Sequence, residues 1–265
     1  MRLGLDLPNF GDFADVRLLA EVAETAEKNG WDGVFIWDHI SRSSVATPGL
    51  PTADVTVALT AIALATERVT FGPLVTPLAR RRPHKVAREF TTLDHLSNGR
   101  VILGVGLGNP PEDEFAAFGD EADPKVRGDL LDESLGVITR LWSGERTDFD
   151  GEHLHVHTNP FQPKPVQQPL IPIWVAAKWP GANRPLRRAA RYEGIVPISS
   201  NLDSHLLPED VAAIRERVGP DIDIVVTAPR PASLADYEAA GVTWWVDEFM
   251  DGDRALKAAR NGPPS

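Results

Sequence analysis

No cysteine occurs anywhere in the chain. That single absence removes disulfides, thiolate metal sites and a cysteine nucleophile together. Positive charge is scarce as well: 27 Lys and Arg stand against 38 Asp and Glu, a formal net charge of −11. A surface this acidic repels a phosphate backbone, so nucleic acid is not an expected partner. Long apolar runs are also missing at the start. MRLGLDLPNFGDF meets charged and turn residues after three leucines, which is neither the apolar centre of a signal peptide nor a membrane span, and the expectation is a cytoplasmic protein without a membrane. No linker divides the sequence, so one domain over 1–265 is expected. With 42% hydrophobic and 25% charged residues the chain is not disordered, and its length suits a single α/β barrel, which takes about 250 residues.

What the sequence does contain is a repeated unit. Eight short apolar runs recur, at Leu3–Leu7, Gly33–Trp37, Val69–Val75, Val101–Gly106, Ile171–Ala176, Gly194–Ile198, Ile222–Thr227 and Val242–Val246. Helical periodicity follows them. After the first, Val16, Leu19, Ala20, Ala23 and Ala26 repeat at helix spacing, with Asp12 or Asp15 to cap the start and Asn29-Gly30 to stop it. Continuous apolar strands alternating with helices imply a parallel sheet covered by helices, and eight units are the count that closes a (β/α)8 TIM barrel. An open doubly wound sheet is the alternative. Between the fourth and fifth runs the interval widens to 70 positions, room for a helix at Lys125–Trp142 and an excursion. There Phe149–Glu152 reads as a turn, His153–His157 as a short extended segment, and Pro160, Pro163, Pro165 and Pro169 keep the rest irregular.

In such a barrel the chemistry sits at the carboxyl ends of the strands. The residues there include Pro8 and Asn9, Asp38 and His39, Thr76 and Pro77, Gly108 and Asn109, Ala177 to Trp179, and Asp247 and Glu248. His39 is the first candidate, because imidazole exchanges a proton near neutral pH; the competing reading is a histidine that caps a strand end or bonds Asp38. Gly104, Gly106 and Gly108 alternate in LGVGLG, which on a strand bares one face of the backbone to a flat ligand or simply lets the interior pack. They do not form the dinucleotide fingerprint. The HLHVH run, His153, His155 and His157, reads as a half-exposed hairpin strand. A metal-dependent hydrolase built on it is the rival, and no metal site is expected. Two places could hold an anion: Arg80, Arg81 and Arg82, either a phosphate clasp or a solvated helix start, and Ala176–Pro180, where a strand end followed by a helix start would expose N–H groups beside Lys178.

Several segments together, LGLDLPNFG, GWDGVFIWDHI, VTFGPLVTPLARRRPHKVAREFTTLDHLSNGRVILGVGLG and PKPVQQPLIPIWVAA, give the chain its likeness to a family. It resembles the bacterial luciferase-like flavin and deazaflavin oxidoreductases. The resemblance implies a barrel whose strand ends hold FMN or coenzyme F420. It places His39 beside the redox-active part of the cofactor, preceded by the acidic Asp38. A non-proline cis peptide is implied between Pro73 and Leu74, against the ring. Gly106, Gly108 and Asn109 would line the cofactor's side chain, and the backbone of Ala176, Ala177, Lys178 and Trp179 would hold its phosphate. The chain departs from deazaflavin relatives at Asn109, where they tend to carry an acid, and at Lys178 and Trp179, where they carry small residues. The expected activity is hydride transfer with F420 on a small-molecule substrate, ahead of an FMN monooxygenase using oxygen and of a non-catalytic flavin-binding barrel; a homodimer is compatible with it.

Overall fold

The computed structural model describes residues 1–42, 49–181, 183–201, 205–227 and 232–264. In chain order the elements are β1 (Arg2–Leu7), α1 (Val16–Lys28), β2 (Gly33–Ile36), α2 (Val55–Ala65), β3 (Thr70–Pro73), β4 (Thr76–Pro77), α3 (Pro83–Ser97) and β5 (Leu103–Gly106). Then come α4 (Pro111–Glu114), α5 (Pro124–Trp142), β6 (Thr147–Asp150), β7 (His155–Thr158), β8 (Ile173–Trp179) and α6 (Asn183–Ala189). The chain finishes with β9 (Gly194–Ser199), α7 (Pro208–Val218), β10 (Asp223–Thr227), α8 (Leu234–Ala239), β11 (Trp244–Glu248) and α9 (Gly252–Asn261). Apart from β6 and β7, the strands form one sheet in the order β3-β2-β1-β11-β10-β9-β8-β5-β4, with every pairing parallel. Phe71 of β3 also bridges Val101, just ahead of β5, in parallel. That bridge joins the two ends, and because β3 and β4 are two halves of one course, eight strands close the expected barrel; the open-sheet alternative is excluded.

The third apolar run does not make one strand. Pairing with β2 holds through Leu74, whose N–H donates to the Ile36 carbonyl at 2.7 Å, and β4 pairs instead with β5, Thr76 opposite Val105. The course is handed from one neighbour to the other at Leu74 and Val75, and the peptide between these two is cis. The expected cis bond therefore lies one residue beyond Pro73–Leu74, because the β2 ladder keeps Pro73 and Leu74 in line. The bulge needs space across the barrel, and the alternating glycines supply it. A Cβ on Gly104 would overlap the Pro73 carbonyl oxygen, and one on Gly106 would lie 2.6 Å from Val75 Cγ2.

Two apolar layers hold the fold. Between sheet and helices lie residues such as Leu19, Val22, Leu59, Phe90, Leu135, Ile138 and Ile214. Inside the barrel, Phe35, Trp174 and Trp244 pack with ring centroids 5.3–5.6 Å apart, joined by Ile102, Val196, Val225 and Val246. Large side chains here face glycines, since a Cβ on Gly33 would come within 2.8 Å of both Phe35 and Trp244. α1 begins as expected, with Asp15 accepting from the Arg17 N–H at 2.9 Å, and α5 covers the predicted Lys125–Trp142. The excursion forms the antiparallel β6-β7 hairpin. Its turn falls two residues later than expected, because Phe149 and Asp150 pair with Val156 and His155. No described helix is long and apolar enough to cross a membrane.

Candidate active site

At the carboxyl ends of the strands the chain encloses a cavity of about 560 Å³, within the range that holds small cofactors. Its walls bring together Asp38, His39, Leu74, Gly106, Gly108, Asn109, Ala176, Ala177 and Lys178, all named from the sequence. Of the residues that the family resemblance placed at the cofactor, two are absent from the lining. Pro73 is held in the β2 ladder beneath the bulge. Trp179 turns outward, its indole N–H donating to Asp210 at 3.0 Å and Arg217 lying over its ring.

His39 is fixed from both ends. Asn9, at the end of β1, accepts from its N–H at 3.1 Å and donates to its carbonyl at 2.8 Å, so the backbone turn after β2 is clamped. Its ring meets the edges of Phe10 and Trp37, and Nδ1 lies 2.7 Å from Glu114 Oε1. Glu114 closes the short α4 that follows the cis Asn109-Pro110 bond. It is fully buried and also receives the Ile40 N–H and, at 2.8 Å, the Arg80 guanidinium. A carboxylate can only accept, so the proton of this contact belongs on His39 Nδ1. Nε2 has no protein partner among the described residues.

Asp38 lines the same cavity with both oxygens engaged. Arg80 donates to Oδ1 at 2.6 Å, while Thr76 and Arg81 donate to Oδ2. Arg81 continues the network to Glu89 at 2.6 Å and to Thr56. These arginines are therefore no phosphate clasp; buried carboxylates need paired cations, and Arg80 and Arg81 supply them. Arg82, at the start of α3, is exposed.

The anion site expected at a helix start after Ala176 is also rearranged. Pairing with β9 continues through Lys178 opposite Ile198 and Trp179 opposite Ser199, so the strand runs on and α6 begins only at Asn183. The cations left at this end of the cavity are the exposed Lys178 and the buried Arg188, which α6 carries. The three histidines of the hairpin stand apart from the cavity: His155 and His157 bond Asp150 and Asp148 across the two strands, and these contacts with Asp148 and Asp150 raise the His157 pKa.

Four contributors escaped the sequence. Glu114, the last of three consecutive acids, and Arg188, one of several closely spaced arginines, carry no signal in the sequence that sets them apart. Trp37 was read as the end of a strand, yet it lines the cavity and donates its indole N–H to Asp6 at 3.0 Å. Asp6 was hidden inside the first apolar run. It is 2% exposed, and burial raises its pKa well above the usual carboxylate value, against the Trp37 hydrogen bond and with the help of Glu248 on β11.

The luciferase-like monooxygenase family matches residues 5–260, and the chain belongs to that family. An F420-dependent glucose-6-phosphate dehydrogenase of Nakamurella multipartita is 32% identical over 205 residues, 76% of this chain and 57% of that one. A protein of the same name from Beutenbergia cavernae is 34% identical over 260 residues, 94% of this chain and 69% of that one. Several other curated relatives of that name are only about half covered by the chain. Among solved structures, an F420-dependent secondary alcohol dehydrogenase in complex with an F420-acetone adduct superposes with a TM-score of 0.80 at 16% identity, covering 99% of this chain and 98% of that one. At that identity the likeness is one of fold.

Proposed function

We propose that the chain is an F420-dependent oxidoreductase acting in the cytoplasm on a small organic alcohol or its carbonyl product. The observation that carries this reading is the His39–Glu114 pair, 2.7 Å apart, on the wall of a cavity whose other walls suit a flat cofactor; the curated relatives named above support the choice of F420. The fit of such a group rests on three features. Leu74 and Val75 are pushed into the cavity by the bulge, Gly106 and Gly108 line the wall beside them, and Lys178 with Arg188 places positive charge at one end for a phosphate. A bound deazaflavin supplies a ring carbon that exchanges a hydride and, lacking the flavin nitrogen at that position, does not activate oxygen.

The chain's own residues manage the proton. Removing a hydride from an alcohol carbon leaves the hydroxyl proton to be taken, and His39 Nε2 is the base that takes it. Glu114 keeps Nδ1 protonated and stabilises the imidazolium formed. Asn9 fixes the backbone that carries the ring. One feature favours the FMN alternative: Asn109 lines the cavity where deazaflavin relatives tend to carry an acid.

The test is anaerobic turnover of F420 with a panel of secondary alcohols and sugar phosphates, read as loss of the cofactor's visible absorbance. His39→Ala should lower kcat by about 10²–10⁴-fold, and Glu114→Gln by less, with KM moving little in either. Full activity in His39→Ala would remove the proposed base, and turnover that requires FMN and oxygen would replace the reading with a monooxygenase.

A further inference from the structure

Arg188 belongs to two hollows at once. It lines the candidate active-site cavity, and it lines a groove of about 520 Å³ on the outer side of α6 together with Asp132, Arg184, Arg187, Ala190 and Arg191. Its side chain is only 3% exposed. Asp132 and the Gly128 carbonyl hold it in place from α5, so it acts as a shared wall between the inner cavity and the outer groove.

The groove gathers four arginines in a chain whose net charge is −11. Asp132 and Asp129 answer part of that charge. Arg184 bonds both aspartates, at 2.5 and 2.6 Å, and Arg188 takes both oxygens of Asp132. Arg191 reaches Asp132 only at 3.4 Å and is mostly exposed. Arg187 is exposed and has no protein partner among the described residues. Two guanidinium groups therefore remain for an outside anion, next to the end of the cavity where a cofactor phosphate would meet Lys178 and Arg188. Guanidinium forks suit carboxylates, and several set along one groove suit a chain of them. The other arginine cluster, at Arg80 and Arg81, is consumed by Asp38, Glu89 and Glu114 and offers no rival site.

We propose that this outer groove is a second binding site, which holds the oligocarboxylate tail of a deazaflavin cofactor through Arg187 and Arg191 while the ring and phosphate occupy the inner cavity. The proposal rests on the F420 reading above and adds to it a place for the tail. It also gives the chain a means of telling a tailed deazaflavin from FMN, which ends at its phosphate.

The test compares three forms of the full chain, the natural one, Arg187→Glu/Arg191→Glu and, as a charge control, Lys257→Glu on the exposed face of α9. Each is titrated at low salt with F420 carrying its full tail and with F420 enzymatically trimmed of it. Natural protein should bind the full cofactor about ten-fold more tightly than the trimmed one, the size expected for two or three exposed ion pairs. The double variant should lose that preference with its affinity for the trimmed form unchanged, and Lys257→Glu should keep it. Should the double variant melt early, Arg187→Glu alone, at an exposed side chain without a partner, makes the same comparison. Equal affinities of the natural protein for the two forms, or a preference that survives in the variants, would overturn the groove and leave the F420 reading standing. Failure of natural protein to bind either form would overturn both.

Discussion

His39 owes its placement to residues far from it in sequence, Asn9 through its backbone and Glu114 through its ring. A strand-end position and the chemistry of imidazole were enough to single out His39. Glu114 was not legible, because three consecutive acids at a helix start ordinarily face water, whereas the short α4 buries the last of them. Asp6 was illegible for another reason, since one polar residue in an apolar strand does not announce which face it takes. Its burial makes a prediction. Below about pH 4 Asp6 is protonated in both folded and unfolded chains. As the pH rises the unfolded chain loses this proton while the folded one keeps it, so Asp6 subtracts stability progressively until its raised folded pKa is passed. Asp6→Asn should remove the loss. Urea melts across pH 4 to 8 should show the variant gaining on the natural protein by up to about 1.4 kcal/mol per pH unit; a constant difference would mean that Asp6 ionises normally in the fold.

Among the elements, the broken third strand does most to shape the site. Periodicity showed a strand over Val69–Val75 but not that its pairing passes from β2 to β5 halfway, since an apolar run reads the same whichever neighbour it meets. The strand end at Ala176 was misplaced for a related reason: Ala-Ala-Lys-Trp-Pro resembles a stop, whereas the ladder to β9 carries the strand on to Trp179. The glycines of LGVGLG were visible as a pattern with two readings, and the packing one holds, for a Cβ on Gly104, Gly106 or Gly108 would run into Pro73, Val75 or Phe115, while the backbone of Gly106 and Gly108 also lines the cavity. Gly104→Ala should cost about 2–4 kcal/mol in denaturant melts, because its Cβ would meet backbone oxygen that cannot move aside. Gly128→Ala in α5 is the matched control. Its Cβ would meet nothing closer than the Arg184 guanidinium at 3.6 Å, and alanine favours the helix by about 1 kcal/mol. If both changes cost the same, the bulge does not depend on Gly104. Arg80→Ala should also destabilise, by about 3–5 kcal/mol, by leaving Asp38 and Glu114 buried without their shared cation; a melt unchanged from that of the natural protein would show the network to be dispensable.

For the molecule as a whole, eight apolar runs were sufficient to predict a closed barrel, because parallel strands buried on both faces have few other ways to cover themselves. The carboxyl face then gathered most of the named residues into one cavity without any of their contacts being known. Charge was legible only as a total. The sequence displays an acidic chain with basic clusters at Arg80–Arg82 and Arg184–Arg191, and only the fold separates the arginines that are spent on buried carboxylates from those that face outward. The central claim is that the cavity beside His39 takes a deazaflavin. Its most direct test is equilibrium titration of the purified chain with F420 and, separately, with FMN, read by the absorbance and fluorescence of each cofactor, with Lys178→Glu run alongside. Saturable binding of F420 in preference to FMN is expected, weakened by Lys178→Glu far more for phosphorylated cofactor than for the same ring system without its phosphate. Binding of FMN alone, or of neither cofactor, would contradict it.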